Sequence, residues 1–166
     1  MPEKKTIERA RQDAREGKAP STQAGEFVRE EMEHIREGKH GARSTKQAIA
    51  IGLSKARRAG VKLPPPRKGK ASEETRTQAV RNNAQGQTSP GKKPSPTRSR
   101  AIKRALKREG TEAASPSALS RQASASARSR GPADRRRAAR KAVRTKGSVG
   151  LKSAVRKAAL TQSRNR

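Results

Sequence analysis

The sequence contains no cysteine, no tryptophan and no tyrosine. Phe27 is its one phenylalanine. Without cysteine, the chain can form neither a disulfide framework nor a thiolate site. With a single phenylalanine and neither Trp nor Tyr, the chain has no aromatic surface on which the bases of a single strand could stack. This argues against sequence-specific recognition of RNA. Only 28% of the 166 residues are hydrophobic. So little apolar material argues against one compact domain of that length.

Long hydrophobic runs are missing as well. No segment approaches the ~20 apolar residues of a membrane-spanning helix, and the opening residues MPEKKTIERARQD lack the apolar core of a secretory signal. We therefore expect no membrane span and a cytoplasmic, nucleoid-associated protein. Neither a Ser/His/Asp arrangement nor a buried carboxylate pair is indicated. We accordingly expect no catalytic residue, no cofactor and no bound metal.

Basic residues are what the chain has in excess. It carries 43 Lys and Arg against 14 Asp and Glu, a formal net charge of +29. The excess is uneven, because residues 1–63 hold 15 basic and 9 acidic residues, whereas residues 64–166 hold 28 and 5. Such a surplus favours a polyanion as partner, and nucleic acid is the commonest one.

The clearest structural pattern lies between residues 38 and 66. Ser44 and Gln47 have the spacing of a capping box, and Gly60 is placed to end a helix that Pro64-Pro65-Pro66 cannot continue. The residues of one helical stripe between these signals are apolar or small: Ala48, Ile49, Gly52, Leu53 and Ala56. The pattern predicts a helix over residues 45–59.

Two shorter helices are predicted before it, over residues 3–16 and 22–37. Gly17 and Gly38 are placed to end them, and Ser21 or Thr22 is the expected N-cap of the second. The predicted fold class is therefore mainly α, with a small N-terminal helical domain of two or three short helices over residues 1–66. A core of this size is marginal, so a dimer or a bound ligand would help to stabilise it.

Residues 67–166 are predicted to form a low-complexity basic tail, largely disordered, with short isolated helices. A capped segment begins at Ser72 and ends at Gly86, and residues 87–98 form a linker rich in Pro, Ser and Lys. Residues 112–130 offer little to bury. The basic Ala-rich segments beyond residue 130 are too short and too highly charged to be stable helices alone, so we expect them to fold on a polyanion.

Residues 1–70, and above all KAPSTQAGEFVREEMEHIREGKHGARSTKQAIAIGLSKARRAGVKLPPP, resemble a family of small basic bacterial proteins that share a domain of unknown function. The resemblance covers roughly the first two-fifths of the chain. It implies a bacterial origin and no particular activity. The remainder, rich in Ala, Lys, Arg, Ser and Pro, is similar in composition to the tails of bacterial histone-like proteins.

The loop over residues 39–46 is the first candidate site. It leads into a helix N-terminus, where free amides and the helix dipole attract anions. Its cations are Lys39, Arg43 and Lys46, and its backbone and capping positions are Gly41, Ser44 and Thr45. The loop either grips a nucleic-acid phosphate or is an ordinary capped, solvated loop.

The other candidate contacts are basic side chains expected to neutralise phosphates. They lie around the end of the third helix and along the tail: Lys55, Arg57, Arg58, Lys62, Arg67, Lys68, Lys70, Lys103, Arg104, Lys107, Arg108, Arg135, Arg136, Arg137, Arg140, Lys141, Arg144, Lys146, Lys152, Arg156 and Lys157. A helix-turn-helix reader of sequence is the weaker alternative, because the gap between Ile35 and Thr45 exceeds the usual turn.

One further pattern places His34 after Glu30 and Glu31, with the Glu-x-x-His spacing that some metal sites use. Because the motif occurs once, a solvated helix face is the preferred interpretation.

These observations favour a non-enzymatic, histone-like protein that binds duplex DNA through its phosphates with little sequence specificity. An RNA- or ribosome-associated basic protein is one alternative. An adaptor is another, in which Phe27, Met32, Ile49 and Leu53 contact a protein partner or a second copy of the chain.

Overall fold

The computed structural model of the chain describes residues 2–89 and 95–164. Contacts divide the chain into two compact units, Met1–Gln122 and Ala123–Arg166. The regular elements of the described residues are helical, in the order α1 (Lys4–Arg15), α2 (Pro20–Arg36), α3 (Thr45–Arg58), α4 (Glu73–Thr88), α5 (Pro96–Lys107), a 3₁₀ turn (Glu112–Ala114), α6 (Pro116–Arg128) and α7 (Pro132–Arg164).

The first part of the core lies where α1, α2 and the end of α3 meet. Phe27 of α2 is fully buried and packs in one cluster with Ala10 of α1 and Ala56 of α3. Val61 and Leu63, which follow α3, complete the cluster. The apolar stripe predicted for α3 is confirmed, because its members are buried or half-buried.

The second part of the core joins residues that are distant in the sequence. Met32 and Ile35 of α2 pack with Ala42 and Ala48, and the two alanines of the 3₁₀ turn, Ala113 and Ala114, close the cluster. The expectation that residues 112–130 have little to bury is therefore wrong at these two positions. Small side chains can be buried completely when a neighbouring backbone comes close.

Local helix signals are confirmed at three places. The Ser44 hydroxyl accepts a hydrogen bond from the Gln47 amide at 3.2 Å, as in a capping box, but the Gln47 side chain accepts from the Arg43 amide and not from that of Ser44. Gly38 and Gly60 follow α2 and α3 with φ of 71° and 97°, in the left-handed region that favours glycine. The start of α2 was predicted wrongly. It begins at Pro20 after Ala19, because proline at the first helical position needs no amide partner.

The prediction of a largely disordered tail over residues 67–166 is wrong. α4 packs on α3 across the boundary predicted after residue 66 and buries Ala79, Asn82 and Gly86. At Gly86 the two backbones approach so closely that a Cβ would lie 1.8 Å from the Arg57 carbonyl oxygen. The buried groups of α4 are short, so hydropathy alone did not reveal this contact.

The remaining helices each begin at a proline, and only the first of these prolines lies in the predicted linker over residues 87–98. Pro96, Pro116 and Pro132 each stand at the first residue of a helix, a position that proline favours. Ala, Leu, Lys and Arg, which follow them, are good helix formers. α4 and α5 thus reach into the linker predicted over 87–98, of which residues 90–94 lie outside the described residues.

α7 contains one break. Gly147 has non-helical torsion angles, φ 64° and ψ 179°, so two helices meet there. This is the point between the two Ala-rich basic segments of the sequence. Among residues 2–89 and 95–164, no helix has the length and apolar character needed to cross a membrane.

Candidate functional site

The loop over residues 39–46 uses its backbone amides inside the protein. The Gly41 amide donates to the Leu106 carbonyl at 2.9 Å, and the Ala42 amide donates to the Gly110 carbonyl at 3.1 Å. The Arg43 amide donates to the Gln47 side chain at 2.8 Å. The amides of Gly41, Ala42 and Arg43 therefore already have acceptors within the protein.

The same loop is covered by the segment that follows α5. Gly41 is buried, and a Cβ at this position would lie 1.9 Å from the Glu109 carbonyl oxygen. The buried Thr45 hydroxyl donates to the Ala113 carbonyl at 2.7 Å. Gly41 and Thr45 thus join the loop to residues 106–114, whereas the side chains of Arg43 and Lys46 and the capping Ser44 are exposed.

Lys39 is exposed but engaged with acidic neighbours. Its ammonium lies 2.8 Å from Glu37 and 3.5 Å from Glu3. The hydrogen bond to Glu37 raises the pKa of Lys39, so its positive charge is secure at neutral pH.

The four cations predicted at the end of α3 separate into two kinds. Arg57 is only 6% exposed, and its guanidinium donates to the carbonyls of Leu63 at 3.3 Å and Pro64 at 3.1 Å. Burial lowers the pKa of Arg57 below the usual value of an arginine. Lys55 is also turned inward, whereas Lys62 is exposed and Arg58 is half-buried. The sequence could not distinguish these, because all four share one short basic run.

The cations predicted beyond residue 66 are exposed wherever their side chains are described. They are Arg67, Lys68, Lys70, Lys103, Arg104, Lys107, Arg108, Arg135, Arg136, Arg137, Arg140, Lys141, Arg144, Lys152 and Arg156. The side chains of Lys146 and Lys157 lie outside the described set. Arg137 forms an ion pair with Asp134, one turn earlier on α7.

The apolar residues predicted to contact a protein partner belong largely to the core. Phe27 and Met32 are buried, and Ile49 and Leu53 are half-buried beside the two core clusters. This placement leaves the adaptor hypothesis without an open apolar face formed by these residues.

A group of buried charges lies on the inner side of α2. Glu31 is 0% exposed and Glu30 is 3% exposed, so the interpretation of this helix face as solvated is wrong. The signal was present in the spacing. Glu31 lies four residues after Phe27 and four before Ile35, on the apolar stripe of α2.

One ammonium group and two imidazole rings surround these carboxylates. Lys55 of α3 places its ammonium 2.6 Å from Glu31 Oε2 and 3.9 Å from Glu30 Oε1. His40 Nε2 lies 3.4 Å from Glu31 Oε1, and His34 Nε2 lies 3.9 Å from Glu30 Oε1. Ionised carboxylates can be buried only with compensating charge, and here Lys55 supplies part of it.

Glu3 closes this group at the surface. Its carboxylate lies 3.0 Å from His34 Nε2, and its backbone amide donates to Glu30 Oε1 at 3.2 Å. The hydrogen bond from His34 lowers the pKa of Glu3, and the positive charge of Lys39 acts in the same direction. We call Glu3, Glu30, Glu31, His34, His40 and Lys55 together the buried ionic cluster.

Comparison with known proteins identifies one family. Residues 21–68 match a family of unknown function, DUF6496. The match covers α2, the loop, α3 and the segment through the three prolines, and it confirms a domain of unknown function in this part of the chain. No curated protein and no solved structure matches the chain. The bacterial origin implied by the resemblance stays a prediction.

Proposed function

We propose that the protein is a non-enzymatic nucleic-acid-binding protein that holds duplex DNA through its phosphates, with little sequence specificity. The observation that carries this proposal is the exposure of the basic side chains on α5 and α7. No residue of α5 is buried, and its cations are accompanied by no acidic residue within the helix. These two helices therefore present positive charge to solvent.

The first half of α7 concentrates this charge in rows. Arg136, Arg140 and Arg144 follow one another at four-residue spacing, which places them along one side of the helix. Like charges at this spacing destabilise a helix by a few tenths of a kcal/mol per pair. Phosphates would remove this repulsion while releasing counterions from the nucleic acid. A row of arginines without acidic partners is thus better suited to a polyanion than to water alone.

The core offers no comparable support for the adaptor alternative, because its apolar residues are used in folding. RNA carries the same phosphate charge as DNA, so the test compares binding of duplex RNA with binding of duplex DNA. Poor single-strand stacking, from the lack of Trp and Tyr, favours a duplex in either case.

The test is a fluorescence anisotropy titration of the full chain against duplex DNA and duplex RNA of equal length, repeated at several salt concentrations. On duplex DNA the log–log salt slope is about −0.9 for each phosphate contact. The variant Arg136→Gln/Arg140→Gln/Arg144→Gln should therefore make the salt slope less negative by about 2.7.

The matched control removes three charges from α1 instead, as Lys4→Gln/Lys5→Gln/Arg11→Gln, all exposed positions. It should leave the slope nearly unchanged. Equal effects of the two variants would mean that α7 is not the contact surface. Tighter binding of duplex RNA would replace DNA by RNA as the ligand, and binding without salt dependence would refute phosphate contacts altogether.

A further inference from the structure

We propose that Glu31, His34 and His40, assisted by Glu30, form a binding site for a divalent transition-metal ion such as Zn²⁺. One ligand atom from each of Glu31, His34 and His40 can be chosen so that all lie within 4.8 Å of one another. Glu3, Glu30 and His34 form a second such group, which shares His34 with the first. Neutral imidazole and carboxylate are a donor set that Zn²⁺ accepts.

The local fold brings these groups together. Glu31 and His34 are three residues apart on α2 and therefore lie on one side of the helix. α2 ends at Arg36, and the turn through Gly38 leads the chain back, so that the ring of His40 stands 6.2 Å from that of His34. These two are the only histidines of the chain. A solvated helix face would not require both in one cluster.

The hydrogen bonding of His40 points to a cation at its other nitrogen. His40 Nδ1 lies 3.1 Å from the Gly41 carbonyl oxygen, which can only accept, so Nδ1 carries a proton. In the neutral ring, Nε2 then presents a lone pair towards Glu31 Oε1, 3.4 Å away. Two lone pairs facing each other in a buried place repel, unless a proton or a metal ion lies between them.

The separation of these two atoms suits a metal. For a tetrahedral zinc ion with bonds of about 2.0–2.1 Å, neighbouring ligand atoms lie about 3.3 Å apart. A ligating histidine usually donates its second N–H to a backbone carbonyl, as His40 does to Gly41. His40 and Glu31 thus already have the separation of two metal ligands, and a ligand atom of His34 lies within 4.8 Å of both.

The hydrogen bonding of the buried carboxylates is a second, independent observation in favour of a cation site. Neither oxygen of the fully buried Glu31 accepts a hydrogen bond in the described part of the chain, and Glu30 Oε2 has none either. The Lys55 ammonium lies 2.6 Å from Glu31 Oε2, whereas the nearest side chain to Glu31 Oε1 among these groups is that of His40, at 3.4 Å. Two buried carboxylates face the ammonium of the half-buried Lys55, so with neutral imidazoles at His34 and His40 one negative charge is left uncompensated.

Lys55 can keep its place when the ion binds. Its contact is to Glu31 Oε2, whereas the proposed metal position adjoins Oε1. An ammonium on the second oxygen orients the carboxylate, in the way that outer groups commonly orient metal ligands. The exposed carboxylate of Glu3 adds a further negative charge and is hydrogen-bonded to His34. With Lys39 and its second partner Glu37 included, four carboxylates (Glu3, Glu30, Glu31 and Glu37) face two ammonium groups (Lys39 and Lys55), which leaves two negative charges to match one divalent ion.

The site is tested with the full chain, expressed without a histidine tag and free of nucleic acid, by competition for Zn²⁺ against a chromophoric chelator. We expect one tightly bound ion per chain. His40→Gln and His34→Gln should each weaken binding at least about ten-fold. The matched control is Glu33→Gln, a half-exposed carboxylate on the same helix, and it should bind Zn²⁺ as the unaltered chain does.

A second measurement does not depend on any variant. Because the chain has two histidines, long-range ¹H–¹⁵N spectra resolve every imidazole nitrogen. Addition of one equivalent of Zn²⁺ should shift His40 Nε2 and one nitrogen of His34 while His40 Nδ1 keeps its proton. Unshifted nitrogens, or equal Zn²⁺ affinity in His40→Gln and Glu33→Gln, would overturn the proposal. If His40 is protonated on both nitrogens and its signals do not change with Zn²⁺, the metal-site proposal is wrong and the site is an ion pair between His40 and Glu31. None of these outcomes depends on whether the protein binds DNA.

Discussion

Arg57 and Lys62 are both basic and lie five residues apart, yet only Lys62 faces solvent. The guanidinium of Arg57 binds the carbonyls of Leu63 and Pro64 and so holds the segment that leads into the three prolines against the end of α3. Charge of the same sign therefore serves the fold at one position and is available to a ligand at the other.

Replacing Arg57 by glutamine should destabilise the protein by about 2 kcal/mol, because hydrogen bonds from a charged donor to two carbonyls are lost. Urea denaturation of the purified chain measures the change. The control Lys62→Gln should alter stability by less than about 0.5 kcal/mol, as is usual for exposed positions. Equal stability of the two variants would show that the Arg57 contacts do not contribute to folding.

Glu3 determines part of the acid sensitivity. Its pKa is lowered from 4.5, chiefly by the hydrogen bond from His34, so the folded state favours the ionised carboxylate. A depressed folded pKa gives stability that is present above the unfolded pKa and is lost as pH falls through the folded value. This contribution should therefore fade below pH 4.5.

Urea midpoints measured on both sides of that pH test the expectation. Glu3→Gln should lose stability at neutral pH and show a weaker decline on acidification than the unaltered chain. The exposed Glu8→Gln on α1 removes the same charge outside the buried ionic cluster and should keep the original pH dependence. A decline that is identical in all three proteins would contradict the role of the Glu3–His34 hydrogen bond.

At the scale of elements, the decisive contact is between the loop before α3 and the segment after α5. Backbone hydrogen bonds from Gly41 and Ala42 and the side-chain bond from Thr45 link positions about 65 residues apart. Ala113 and Ala114, next to this contact, belong to the second core cluster. Helices in the second half of the sequence thus complete a core that begins in the first half.

Gly41→Ala should disrupt this junction, because the new methyl group would meet the backbone of Glu109. We expect a loss of roughly 2 kcal/mol, as for other overpacked sites. Hydrogen exchange should become faster at the amides of Gly41 and Ala42. Gly25→Ala, at a helical position with open space around it, should stabilise by about 0.5–1 kcal/mol. Unchanged exchange in Gly41→Ala would show that the junction tolerates a side chain.

At the scale of the whole molecule, net charge opposes folding and favours ligand binding. A formal charge of +29 repels itself within the compact state, and this repulsion between exposed groups is screened by salt. Phosphate binding has the opposite dependence, since salt reduces the gain from counterion release. The two properties therefore respond to salt with opposite signs.

We accordingly expect the melting temperature of the full chain to rise between about 0.05 and 0.5 M salt, while its affinity for DNA falls steeply. Circular dichroism without nucleic acid should already show a mainly helical chain, consistent with α4–α7. A coil spectrum that becomes helical only on adding DNA would contradict this. A melting temperature that falls with salt would show that attractive ion pairs outweigh the repulsion.

Local sequence patterns were sufficient to predict the helical class of residues 1–66, the cap at Ser44, the helix ends at Gly38 and Gly60 and the apolar stripe of α3. Each depends on residues within one or two turns, so periodicity and capping chemistry suffice. The excess of basic charge needs no structure at all. Order beyond residue 66 was missed, because the groups that anchor α4 and the 3₁₀ turn are glycine, asparagine and alanine, which carry little hydropathy.

Which charged side chains are buried depends on how the helices pack. Arg57, Glu30 and Glu31 are buried because segments far away in the chain, or on another helix, cover them. A local pattern cannot show what covers a side chain, and the same Glu-x-x-His spacing suits a solvated face and a buried cluster equally well. His40 completes that cluster through a turn, and the loop amides find acceptors on residues 106–110. Burial depends on long-range contacts, so apart from the position of Glu31 on the apolar stripe of α2 these features became visible only once the chain was folded.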